Sequence, residues 1–452
     1  SVLLGSIVHS VSFGEIELIH NGMIVYNNLG AIDRVVDLDK VSIDRGRLSQ
    51  FRSVVDCTGK LIVAGFVDAH CHAPQYVFSG TGMDLPLLAW LEKYTFPCEA
   101  RFSDVEFAKT AYDKSIRRHL KCGTTFAAYF ATIHNSGGKV LVDVINRVGQ
   151  RAFVGKVSMD RNSPDFYIEE TERGCQDAEE FARYVLAMTP PYTPLVMPCI
   201  TPRFVPTCTG EMLGSLGRIA ALYGLPVQSH MSESISEIAW VKDLHPDCEN
   251  YASVYQKYGL LNEHCIMAHC CHSDAVERQL IAKCNTAVVH CASSNFSLES
   301  GVLDVHTCVE EGIRVGLGTD VAGGYSPSML DALRQSIIAS KVILFEARGD
   351  LASTTITTSA EAAAPRKTRT LSYKEAFHLA TVGGAEALGM GDVVGNFLPG
   401  KQLDCLIVDP AVLNSPFDVF DGEGPSEWFQ KFLFLGDDRN IVAVFVNGRQ
   451  VI

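Results

Sequence analysis

The chain has 452 residues, of which 47% are hydrophobic and 20% are charged, and its formal net charge is −14. This length predicts one large domain and a smaller one, and the negative charge argues against non-specific binding to nucleic acid or to an anionic membrane. No apolar stretch reaches the length of about 18 residues that a membrane span requires, so we expect none.

The two ends of the chain have the same character. Short apolar runs that alternate with polar residues occupy 16–27 and 32–38, and similar runs return at 404–410 and 440–452. Each end also contains an Asn-Gly pair, which is a typical hairpin turn. We therefore predict that residues 1–60 and 396–452 together form a small composite β-sandwich domain.

The middle of the chain alternates between apolar strand candidates and helix patterns, such as the helix between Thr209 and Gly224. Eight such strands separated by helices indicate a (β/α)8 TIM-like barrel over residues 61–395, whose active site would lie at the carboxyl ends of the strands. The small polar residues 351–368 are predicted to be a flexible surface insertion. The strand candidates are 61–67, 124–130, 152–158, 195–200, 225–229, 265–268, 286–289 and 313–317.

Four of these apolar runs end in side chains that bind metals. His70 and His72 follow the first run, and the side-chain period of two in a strand places both imidazoles on one face. His230 follows the fifth run and Asp320 the eighth, which predicts a metal site of three histidines and one carboxylate. His269 ends the sixth run. A histidine pair also occurs on exposed strands, and His269 could instead be a hydrogen-bonded core histidine.

Glu233 lies three residues after His230, where the chain leaves its strand. Its carboxylate can therefore face the water that binds to the metal. We predict that Glu233 shuttles the proton in a hydrolytic reaction. Glu237 follows one helical turn later, and we expect it to face solvent.

This pattern of strand-end ligands resembles the amidohydrolase superfamily. Binuclear members carry a carboxylated lysine at the end of strand four, whereas this chain has no lysine in 199–203, and Lys156 on strand three is interpreted as structural. The resemblance therefore implies one Zn2+ per chain, although three histidines and a carboxylate also bind iron. It implies that His269 and Asp320 flank the attacking water with Glu233, and that His290 is not a ligand.

Within that superfamily the chain is similar to the guanine deaminase family. The similarity is carried by the stretches 70–102, 201–208, 229–234, 316–335 and 431–441. It implies hydrolysis of guanine to xanthine and ammonia, with Gln75 and Arg203 binding the purine edge and Phe204 stacking on the ring. It also implies substrate contacts for the residues already named as ligands or catalytic groups, namely His72, His230, Glu233, His269 and Asp320.

Alternatives remain open from the residues alone. Arg203 could form a salt bridge at the barrel rim, and Phe204 could pack in the core. Another deaminase of the same branch, acting on cytosine, a triazine or a modified adenine, would use the same ligands, and a catalytically silent relative would have lost them. The resemblance implies a homodimer, and the 15 cysteines, which include no C-x-x-C pair, predict reduced thiols in a cytoplasmic protein.

Overall fold

The computed structural model describes residues 1–41, 45–188, 194–348 and 369–452. The predicted insertion 351–368 lies outside these residues. In the described part of the chain, no helix combines the length and the apolar character that a membrane span requires.

The strands within these ranges are β1 (Val2–Ser12), β2 (Glu15–Tyr26), β3 (Ile32–Asp37), β4 (Val54–Ala64), β5 (Phe66–His72), β6 (Thr124–Phe130), β7 (Arg151–Gly155), β8 (Val157–Ser158), β9 (Val196–Pro198), β10 (Thr201–Pro202), β11 (Val227–Met231), β12 (Cys265–His269), β13 (Ala287–His290), β14 (Val315–Leu317), β15 (Cys405–Val408), β16 (Ile441–Val446) and β17 (Arg449–Gln450).

The α-helices are α1 (Leu87–Trp90), α2 (Phe96–Ala100), α3 (Val105–Lys121), α4 (Asn135–Val148), α5 (Thr171–Met188), α6 (Gly210–Tyr223), α7 (Ile235–Leu244), α8 (Tyr251–Lys257), α9 (Ala275–Lys283), α10 (Ala292–Ser297), α11 (Val305–Glu310), α12 (Met329–Arg348), α13 (Tyr373–His378), α14 (Gly384–Ala387) and α15 (Pro425–Leu435). Two π-helical turns, Leu91–Thr95 and Leu379–Gly383, link α1 to α2 and α13 to α14. Short 3-10 helices cover Arg45–Gln50, Ala73–Phe78, Arg101–Ser103 and Val205–Thr207.

Strands from both ends of the chain share one seven-stranded sheet in the order β17-β16-β15-β4-β1-β2-β3. The C-terminal strand β15 pairs antiparallel with β4, with Leu406 opposite Val63. Burial of these apolar strands brings the two termini together, as the alternating sequence patterns predict. The exact division of the chain into domains stays a prediction.

Eight parallel strands form the barrel, in two runs of four: β5-β6-β7-β9 and β11-β12-β13-β14. A parallel bridge between Ile200 and Val227 joins the two runs on one side. On the other side, backbone hydrogen bonds from Asp320 N to His70 O (2.9 Å) and from His72 N to Val321 O (3.2 Å) close the ring. The predicted (β/α)8 architecture is therefore confirmed, and these closing hydrogen bonds hold two predicted ligands together.

The first predicted strand, 61–67, is two strands with different partners. Gly65 separates β4, which belongs to the terminal sheet, from β5 of the barrel. The backbone at Gly65 passes so close to the neighbouring strand that a Cβ there would lie 2.3 Å from Thr125 Oγ1. A continuous apolar run thus spans two sheets because a glycine allows this close approach.

The barrel interior is filled by side chains beneath its carboxyl end. Small residues such as Ala69, Ala128 and Ala268 alternate with large ones such as Phe126 and Phe153, and all are buried. Such a filled interior provides a rigid support for side chains that extend from the strand ends above it.

Candidate active site

The four predicted metal ligands converge at the carboxyl end of the barrel. Asp320 Oδ1 lies 3.1 Å from His70 Nε2 and 3.3 Å from His72 Nε2, and His72 Nε2 lies 3.1 Å from His230 Nε2. One donor atom from each of the four side chains lies within 4.8 Å of all the others. The strand ends thus bring together residues that are up to 250 positions apart, since Asp320 follows β14 and His70 lies on β5.

Hydrogen bonding directs the ring nitrogens into the cluster. His230 Nδ1 lies 2.6 Å from Arg203 O, and since a carbonyl only accepts, Nδ1 carries the proton and Nε2 presents a lone pair. His70 Nε2 is buried and, among the described residues, has no hydrogen-bond partner even though Asp320 is near. A cation between these atoms would satisfy the unpaired nitrogen, so the donor set fits a metal ion.

The protonation states also suit metal binding. Burial lowers the pKa values of all three histidines. The pKa of His70 falls below its ordinary value, that of His72 falls to about 4, and that of His230 falls well below its ordinary range. Burial alone would raise the pKa of Asp320, but the adjacent His70 and His72 hold it well below its usual value. Neutral imidazoles and an ionised carboxylate are the forms that bind metals, and three nitrogens with one oxygen match zinc coordination.

Glu233 and His269 lie beside the metal-ligand cluster and are both buried. His269 Nε2 is 3.5 Å from Glu233 Oε2 and 3.8 Å from Asp320 Oδ2. Burial, with repulsion from Asp320, raises the pKa of Glu233 to about 8. A carboxyl group with such a pKa can both accept and release a proton near neutral pH.

Two further residues position these groups. Ser300 Oγ donates a hydrogen bond of 2.7 Å to Glu233 Oε1. Asn295 Oδ1 lies 2.8 Å from His269 Nδ1, so Nδ1 carries the proton and His269 Nε2 faces the cluster as an acceptor. The sequence does not mark either residue, because neither ends a strand or belongs to a ligand motif.

The expectation that Glu237 faces solvent is wrong. Its side chain is buried, and its carboxylate accepts hydrogen bonds from the backbone N of Glu233 and Ser234 and from Tyr251 Oη. The interaction with Ser234 is a capping box at the start of α7, which turns the Glu237 side chain back along the helix. Glu237 therefore fixes the backbone of Glu233.

The predicted substrate residues line the same cavity as the catalytic groups. The cavity has a volume of about 30 Å³. Arg203 lines the cavity and pairs with Glu99 behind it, and because both side chains are buried this ion pair does not lie on an exposed barrel rim. Its lining residues are His72, Gln75, Leu87, Trp90, Leu91, Arg203, Phe204, His230, Glu233, His269, Leu298 and Asp320.

Comparisons with known proteins match most or all of the chain. The amidohydrolase family model matches residues 61–451. A guanine deaminase of Dictyostelium discoideum is 43% identical over 458 residues, covering 99% of this chain and 97% of that protein. One of Homo sapiens is 39% identical over 463 residues, covering 100% and 96%. A crystal structure of guanine deaminase from C. acetobutylicum with bound guanine in the active site has a TM-score of 0.87 and 34% identity, with 100% of both chains covered.

Proposed function

This chain belongs to the amidohydrolase family, and we propose that it catalyses the hydrolytic deamination of guanine to xanthine and ammonia. The observation that carries the proposal is a single cavity that unites the ligand cluster, Glu233 and the polar side chains of Gln75 and Arg203. The guanine deaminases that match nearly the full chain support the same reaction.

The proposed cofactor is one Zn2+ per chain, held by His70, His72, His230 and Asp320. The convergence of their donor atoms and the unpaired His70 nitrogen support this assignment. When bound, the ion supplies the positive charge that acidifies water at this position.

Glu233 moves the protons in the proposed mechanism. Its ionised carboxylate accepts a proton from the water that attacks C2 of guanine, and it then donates a proton to the neighbouring ring nitrogen. The hydroxyl that has formed at C2 then gives its proton to Glu233, which passes it to the amine. The C2–N bond breaks, the amine leaves as ammonia, and the oxygen at C2 becomes the second oxo group of xanthine. The raised pKa of Glu233, about 8, suits both transfers. His269 and Asp320 hold the attacking water from the other side.

The purine is proposed to bind between an aromatic face and a polar edge. Phe204 lines the cavity and offers its ring for stacking, while Gln75 and Arg203 face the polar atoms of the base. Arg203 offers only donors, which suits the O6 side of guanine, and the Gln75 amide offers both a donor and an acceptor. His72 and His230 complete the wall next to C2.

We also propose that the protein is a cytoplasmic homodimer whose partner is a small-molecule substrate and not nucleic acid or a membrane. Free thiols at all 15 cysteines support a reducing compartment, and the homodimer rests on the resemblance to the guanine deaminase family. Gel filtration with light scattering would test the assembly.

The decisive experiment follows guanine absorbance and identifies xanthine as the product, with cytosine and adenine as controls. The zinc content of the purified protein is measured in the same preparation. Conversion of guanine alone by protein with about one zinc per chain is the expected result. Turnover of another heterocycle in place of guanine would contradict the substrate, and an inactive protein without metal would support a silent relative.

A further inference from the structure

One buried carboxylate holds both side chains that are proposed to read the purine edge. Glu99 lies on the short helix α2, and its side chain is fully buried. Arg203 Nη1 donates to Glu99 Oε2 at 2.7 Å and Nη2 donates to Oε1 at 3.2 Å. Gln75 Nε2 donates to Oε1 at 2.9 Å, and Tyr167 Oη donates to Oε2 at 2.7 Å.

These contacts saturate the carboxylate. An ionised carboxylate has about four acceptor positions, and all of them are used by Arg203, Gln75 and Tyr167. Burial alone would raise the pKa of Glu99, but the charge and hydrogen bonds of Arg203 more than offset this and hold the pKa below its usual range. Glu99 is therefore an obligate acceptor, and the orientation of its donors is fixed.

The orientation of the Gln75 amide follows from its two partners. Glu99 can only accept, so the amide nitrogen must face it, and the backbone N of Ala322 donates to Gln75 Oε1 at 3.0 Å. One N–H and one lone pair of the amide remain for a ligand, each at a fixed position. A reversed amide would place its NH2 group against the Ala322 N–H.

Arg203 is fixed in the same way. Both of its terminal nitrogens donate to Glu99, and the guanidinium lies over the Phe96 ring at 5.1 Å. The remaining N–H groups of Arg203 face the cavity that it lines. Only an acceptor on the ligand can pair with them there. An oxo group at C6 provides such an acceptor, whereas C–H does not.

We infer that Glu99 is a specificity-determining positioning residue, which acts through Arg203 and Gln75 to select bases that carry an oxo group at C6. The inference rests on the proposed function, because it takes the cavity as a purine site. Glu99 itself does not contact the base. It fixes which atoms donate and which accept.

The test compares binding of hypoxanthine, which has the C6 oxo group, with binding of unsubstituted purine, which lacks it. Calorimetry on the zinc-loaded wild-type protein should show tighter binding of hypoxanthine. Glu99→Gln should reduce this preference by about tenfold to a hundredfold, because Arg203 and Gln75 lose the charged hydrogen-bond partner that fixes them. For guanine, the KM should rise more than kcat falls.

The matched control is Asp404→Asn. Asp404 is also a buried carboxylate with two hydrogen bonds from one arginine, Arg151 Nε at 3.1 Å and Nη2 at 3.2 Å, but it does not line the cavity. This variant measures the cost in stability of breaking a buried arginine pair. It should lower the melting temperature and leave the preference between the two bases unchanged.

Equal binding of both bases by the wild type, or an unchanged preference in Glu99→Gln, would overturn the inference. So would a loss of preference in Asp404→Asn as large as in Glu99→Gln. If Glu99→Gln does not fold, Glu99→Asp keeps the charge at a shorter reach and should lose the preference in the same direction. A wild type that prefers hypoxanthine but leaves guanine unchanged would overturn the proposed function instead.

Discussion

Ser300 donates a hydrogen bond of 2.7 Å to Glu233 although the two residues are 67 positions apart. Ser300 follows α10, and its carbonyl lies 2.6 Å from His272 Nε2, which holds the loop in place. The next residue is Gly301, with φ of +155°, where a Cβ would lie 2.6 Å from His272 Nε2. The loop thus requires glycine there, and it delivers one hydroxyl to the carboxylate that is proposed to move protons.

Replacing Ser300 by alanine should lower kcat about tenfold with little change in KM, because Glu233 loses a fixed hydrogen bond while the purine contacts remain. That hydrogen bond stabilises the ionised carboxylate and lowers the Glu233 pKa. The pKa should therefore rise in Ser300→Ala, and the acidic limb of the kcat/KM profile should move to higher pH. The control is Ser297→Ala, which removes a hydroxyl that donates to the backbone oxygen of Ser293. An unmoved limb would contradict this role.

Glu233→Gln should retain zinc and bind guanine, yet lose about a hundredfold to ten-thousandfold in kcat, because an amide cannot accept and return protons. The side chain does not belong to the ligand cluster, so zinc content should stay at that of the wild type. Metal analysis and steady-state kinetics measure the two effects in one preparation. Glu299→Gln alters an exposed carboxylate nearby and is the control. Turnover retained in Glu233→Gln would remove the residue from the mechanism.

The sequence predicts the parts of the site that depend on strand ends. Apolar runs locate the barrel strands, and the strand period places His70 and His72 on one face, so their convergence with His230 and Asp320 follows from the fold. The break at Gly65 has no such signal in the sequence. An apolar run predicts burial, but it does not reveal that β4 and β5 lie in different sheets.

The residues that the sequence does not reveal act from loops and short helices. Glu99 lies 104 positions from Arg203 on a helix of five residues, and Ser300 and Asn295 approach from a segment with no strand or motif. No periodicity marks such positions, because one long-range hydrogen bond is enough to define each of them. The wrong expectation for Glu237 has a different, local origin, since a capping box with Ser234 turned its side chain inward.

Removing the metal should abolish activity and lower the melting temperature, and added zinc should restore both. Zinc at a hundred times its dissociation constant stabilises the folded state by about 3 kcal/mol if the unfolded chain does not bind it. His230→Ala should lose zinc because it removes one of the four donors. His290→Ala is the matched control, since His290 is also buried at a strand end but lies outside the cluster. Full zinc content in His230→Ala would contradict the ligand assignment.

His378 should make the folded state less stable in mild acid. Burial lowers the His378 pKa from 6.5 to about 4, and its Nδ1 lies 2.9 Å from Ser10 Oγ. As the pH falls from 6.5 towards 4, the unfolded chain binds a proton that the folded protein does not, so His378 costs up to about 3 kcal/mol of stability by pH 4 and no more below it. Urea unfolding at several pH values should show a smaller loss in His378→Gln than in the wild type. The exposed His264, replaced by glutamine, should leave the loss unchanged, and an equal loss in all three proteins would contradict this role of His378.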